Sequence, residues 1–85
     1  MASFRSGDIM RHGKYKHYKG KFYEVFGEAR HSETLEEMVI YRALFRCPEY
    51  GENQVWVRPK NMFCGTLTHN GKIVKRFTWV DGQSN

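Results

Sequence analysis

Polar and apolar side chains alternate along most of the chain, and that alternation sets the expected elements. KYKHY (14–18) alternates basic with ring-bearing side chains, and Lys19–Gly20 supplies a turn in which Gly20 can take positive φ. FYEVFGEA (22–29) then sets Tyr23 and Val25 on one face and Phe22, Glu24 and Phe26 on the other, which predicts a hairpin. Gly27 within the second strand predicts a bulge or a strong bend.

ARHSETLEEMVIYRAL (29–44) carries two competing patterns. Thr34 stands three residues before Glu37, the spacing of a helix capping box. A helix beginning with Leu35, Met38 and Val39 on one stripe would nevertheless meet Arg42 there. As a strand, Val39, Tyr41, Ala43 and Phe45 share one face, and Ile40, Arg42 and Leu44 share the other. The β-branched and aromatic content from Met38 onward favours the strand. Ser32–Glu37 is then a polar loop or a single helical turn.

RCPEYGENQ (46–54) reads as an exposed loop, and VWVRP (55–59) as a short strand stopped by Pro59. KNMF (60–63) fits one 3₁₀ turn. CGTLT (64–68) and KIVKRFTWV (72–80) flank His69–Asn70–Gly71, and Asn-Gly is a strong hairpin signal. The sum is an all-β domain: a small barrel of five to six short antiparallel strands with at most one 3₁₀ turn.

Length and composition refine this picture. At 85 residues there is room for one core, with a modest margin of buried surface. The barrel is expected over 13–80, with 1–12 a flexible or edge-strand segment in which Ile9 and Met10 could dock, and 81–85 a frayed tail. Six Phe, five Tyr and two Trp can fill a small core or line a binding surface. There is no apolar run of bilayer length and no secretory leader, so a cytoplasmic protein without a membrane association is expected. Cys47 and Cys64 are expected to be reduced. With no Cys-x-x-Cys pair and histidines scattered at 12, 17, 31 and 69, neither a metal nor a cofactor is assigned.

The net charge of +5 is unevenly distributed. Residues 1–21 hold six basic side chains against Asp8, residues 22–57 hold seven glutamates against three arginines, and residues 58–85 are basic again. Lys14, Lys16, His17, Tyr18, Lys19 and Lys21 interleave charge with rings, as single-strand nucleic-acid surfaces do. The same residues also fit a solvated strand face with its turn.

Several stretches together resemble one known family. YKHYKGKFYEV, ARHSETLE, VIYRAL, VWVRPKNMF and KRF, in this order, are similar to the bacterial family named domain of unknown function 1653, over about residues 13–77. The resemblance implies a compact SH3-like β-barrel and no particular activity. Its recurring positions fall on Tyr15, His17, Tyr18, Lys19, Gly20 and Tyr23, then on His31, Ser32, Glu33, Thr34 and Glu36. Tyr41, Arg42, Trp56, Arg58, Pro59, Met62, Phe63, Arg76 and Phe77 complete the set. The 46–54 stretch is extended relative to the family pattern, and Lys75 stands where proline is expected.

The candidate site residues are Arg30, His31, Glu33, Thr34, Arg42, Trp56 and Arg58. His31 and Glu33 could share one side of an extended segment and act as an acid–base pair, or they could brace the loop. Arg42 is expected to meet a ligand or one of Glu24, Glu33, Glu36 and Glu37, and a bidentate pair would pin the loop to the barrel. Arg58, two residues from Trp56, could stack or clamp an anion. These residues predict a non-catalytic binding module for nucleic acid or another polyanion, as a monomer or weak homodimer. The alternatives are a protein- or peptide-interaction barrel using a free strand edge, and a small-molecule enzyme built on His31 and Glu33.

Overall fold

The computed structural model describes residues 10–82, and among them are nine short strands and one helical turn. β1 (Gly13–His17), β2 (Phe22–Arg30), β3 (Glu37–Ala43) and β6 (Val55–Pro59) form an antiparallel meander. β9 (Phe77–Trp79) returns beside β1, so the main sheet runs β6-β3-β2-β1-β9. β4 (Arg46–Cys47) pairs with β5 (Gly51–Glu52), and β7 (Thr66–His69) pairs with β8 (Lys72–Lys75). α1 (Lys60–Phe63) lies between β6 and β7. This is the expected all-β, barrel-like fold, and its strand order is consistent with an SH3-like barrel.

The alternation read from the sequence decides what is buried. Tyr15, Val25, Val39, Tyr41, Ala43 and Phe77 point to the inner face, and Phe63 of α1 plugs it. Phe63 stacks on Phe77 at a centroid distance of 4.0 Å, and Tyr15 and Tyr41 meet Phe63 edge-on. The segment after Met38 is a strand, not a helix.

The bulge expected near Gly27 is present. Val25 opposes Tyr41 and Gly27 opposes Ile40, leaving Phe26 as the extra residue. One extra residue exchanges the faces beyond it, so Glu28 lies beside Val39 on the core side and can meet α1. There Lys60, only 3% exposed, donates from Nζ to Glu28 Oε1 at 3.0 Å.

Four details differ from the sequence reading. The 46–54 stretch contains the β4–β5 hairpin, and Asn53 Nδ2 ties it to the Ala43 carbonyl at 2.9 Å. Residues 60–63 form a single α turn instead of a 3₁₀ turn. The 72–80 run divides at Arg76, with β8 closing a hairpin over Asn70 and Gly71, both at positive φ, while β9 joins the main sheet. The β4–β5 hairpin and the division at Arg76 bring the strand total among the described residues above six. Residues 1–9 of the N-terminal segment and 83–85 of the tail lie outside the described residues, whereas Met10 is buried in the core.

Candidate anion-binding site

Neighbouring residues of a strand face opposite ways, so the candidate residues divide between two surfaces. Arg42 faces outward with Glu24, its direct cross-strand partner, and its Nε donates to Glu24 Oε1 at 2.8 Å. Arg42 therefore does not hold the 31–36 loop. Its guanidinium also lies 5.0 Å from the Phe26 ring. Lys14 and Lys16 share this outer side, opposite Glu24 and Phe22. Phe22, Phe26, Leu44, Val55 and Val57 are exposed on the same side.

The loop that carries Arg30, His31, Glu33 and Thr34 is held by its own backbone. His31 Nδ1 accepts the N–H groups of Glu33 and Thr34 at 3.1 and 3.3 Å, and Thr34 Oγ1 accepts that of Glu36 at 3.2 Å. Arg30 donates to the Leu35 carbonyl at 2.7 Å and pairs with Glu37 at 3.6 Å. Thr34 and Glu37 make no capping box, because the chain turns at Leu35, where φ is 64°, and enters β3.

Trp56 and Arg58 stand together on the inner side, opposite Tyr41 and Val39. Arg58 Nε donates to the Tyr41 hydroxyl at 3.2 Å, and its guanidinium lies 5.8 Å from the Phe77 ring. Barrel curvature brings β1 and the turn after it toward the same end. His17 packs 5.0 Å from Phe77, 6.0 Å from Tyr23 and 4.6 Å from Tyr18. The backbone N–H of Tyr18 donates to the Arg76 carbonyl at 3.0 Å, which fixes Arg76 beside this turn. Lys19 and Lys21 flank it, with their ammonium groups 5.9 Å from Tyr18 and 4.8 Å from Phe45.

Electrostatics set this end apart. Among the described residues the ion pairs are His12–Glu28, Arg30–Glu37, Arg42–Glu24 and Lys60–Glu28, and none includes Arg58 or Arg76. Arg76 Nε is buried and without a hydrogen-bond partner. Burial, then the charges of Arg58, Arg76 and Lys19, hold the His17 pKa below its ordinary value. His17 Nδ1 accepts the backbone N–H of Lys19 at 3.2 Å, so the neutral ring carries its proton on Nε2. Burial, with Tyr41 nearby, pushes the Tyr23 hydroxyl up and keeps it protonated. The result is a group of donors with no carboxylate among them.

Beside Arg58, Trp56 meets Tyr50 from the β4–β5 hairpin edge-on at 5.4 Å, and the two are 38% and 59% exposed. Two members of this region, Arg76 and Tyr50, were absent from the sequence-derived site. Arg76 was visible as a recurring family position in KRF, whereas Tyr50 had no signal within a stretch read as loop.

Chemistry elsewhere is muted. Burial pushes the Cys64 thiol up, keeping it protonated and weakly nucleophilic. Among the described residues no three His, Cys, Asp or Glu side chains gather to hold a metal, and no helix is long and apolar enough to cross a membrane.

A family model described as a protein of unknown function, DUF1653, matches residues 13–79. The chain belongs to this family. A solved DUF1653 structure, of a protein from Bordetella bronchiseptica, is similar to it with 29% identity and a TM-score of 0.74. The match covers 89% of this chain and 94% of that one. No curated protein matches the chain. Membership of DUF1653 carries a fold without an assigned activity, so function rests on the site.

Proposed function

We propose that this DUF1653 protein is a non-catalytic binding module for nucleic acid or another polyanion, with an anionic group of the ligand held at Arg58, Arg76 and His17. The observation that carries the reading is that, among the described residues, two guanidinium groups beside a histidine of lowered pKa have no carboxylate partner. Partly buried cations without a counter-charge are costly, and a bound phosphate or carboxylate supplies that charge. Lys19 and Lys21 add positive potential around the same end.

Titration with inorganic polyphosphate, followed by amide NMR at low and moderate salt, tests this reading. Shifts should cluster at 17–23, 41, 56–58 and 76, weaken with salt, and fade in Arg58→Gln. The absence of clustered shifts at low salt refutes it. The exposed outer side around Phe22, Phe26 and Val57 supports a second reading, a protein-interaction barrel. The unliganded spectra, recorded against protein concentration, test self-association through that side, with shifts expected at Phe22, Phe26 and Val57.

A further inference from the structure

We infer that the ligand is a single-stranded nucleic acid, with a phosphate at Arg58 and an adjacent base stacked on the Trp56–Tyr50 ring pair. This deepens the anion-site reading and rests on it. Trp56 and Arg58 are two residues apart on β6 and project from one face, so a ring and a cation lie side by side. A nucleotide presents the matching pair, a phosphate and the flat base it carries.

The ring pair is largely outside the core. Trp56 and Tyr50 keep much of their surface in solvent, and neither joins the cluster around Phe63 and Phe77. Tyr50 reaches Trp56 from another hairpin and orients the indole without covering it. Tyr18, 5.9 Å from the Lys19 ammonium, repeats the combination of ring and cation across the site. Such repetition suits a strand that offers phosphates and bases in turn.

A single strand fits better than a duplex. Rings can stack only on bases that are free of their own neighbours, and among the described residues the one helix is the four-residue α1, too short to read a major groove. RNA and DNA share this chemistry, so both enter the test.

Fluorescence anisotropy with short, unstructured RNA and DNA oligonucleotides at low salt, and with unlabelled polyphosphate as competitor, decides the matter. Trp56→Leu and, as a second variant on the exposed hairpin tip, Tyr50→Ser should each weaken oligonucleotide binding about five-fold or more. Neither should change the affinity for polyphosphate, whereas Arg58→Gln should weaken both ligands. Unchanged oligonucleotide affinity in both ring variants, or tighter binding of the matching duplex, overturns the nucleic-acid inference while the anion site stands. If Arg58→Gln alters neither ligand, both readings fall. Dispersed amide spectra of each variant establish that it is folded.

Discussion

Two clusters of basic residues in this small barrel, one around α1 and one around His17, treat positive charge in opposite ways. Around α1, Lys60, His12 and Arg30 each have an acidic partner. Lys60 and His12 converge on Glu28, at 3.0 and 3.3 Å, and Arg30 reaches Glu37. Burial alone would raise the Glu28 carboxyl, but the hydrogen bonds from Lys60 and His12 outweigh it and hold its pKa below the ordinary value. In the other cluster Arg58 and Arg76 sit beside His17, and among the described residues neither makes an ion pair. One cluster spends its charges on architecture, and the other leaves them available. On the reading proposed above, the difference separates a structural from a ligand-directed use of the same residue types.

The largest expected effect lies in the cluster around α1. Lys60→Ala removes a well-packed, buried stem and one of the two side-chain partners of Glu28, which keeps His12. It should cost about 2–4 kcal/mol in chemical denaturation, the upper range being restrained because Glu28 is partly solvated. A loss below about 1 kcal/mol would erase the contrast between the two clusters.

The cluster around His17 should respond with the opposite sign. Arg76→Met keeps the aliphatic stem and removes a buried donor that has no partner, so stability should hold or rise by up to about 1 kcal/mol. Polyphosphate affinity should fall in the same variant. A stability loss of about 2 kcal/mol or more in urea denaturation would mean that Arg76 belongs with the architectural charges.

The smallest effect is a pH dependence. His17 has a folded pKa below its ordinary value of 6.5, so the unfolded chain takes up the proton first as pH falls. Its contribution to stability is present above pH 6.5 and is lost as pH drops toward the folded pKa. Comparing wild type with His17→Asn across that window should show a shallower decline in the variant. Identical slopes would remove His17 from the charge-coupled group.

How much of this was legible depends on the range of the interaction. The β3 strand, the bulge near Gly27 and the Asn70–Gly71 turn follow from neighbours in sequence, and each was readable. The β4–β5 hairpin was not, since two-residue strands are too short to display a period. Arg58 and Trp56 were singled out individually, as were His17, Tyr18, Lys19 and Lys21, but as members of separate groups. Their common location requires the closure of β1 and β9 against the meander, and no local pattern encodes that. Arg42 illustrates the same limit. Four glutamates were candidate partners, and only the β2–β3 register selects Glu24.

Pro59 carries one more consequence. Ala43 donates to the Gln54 carbonyl, so residues 54, 56 and 58 turn their amides toward β3 and residues 55, 57 and 59 turn theirs outward. Proline has no amide hydrogen to offer at the last of these places. The rim of the sheet on that side is left with the donors of Val55 and Val57 only, too few to template a long added strand. A residue that ends β6 thereby also protects the protein against edge-to-edge polymerisation at high concentration.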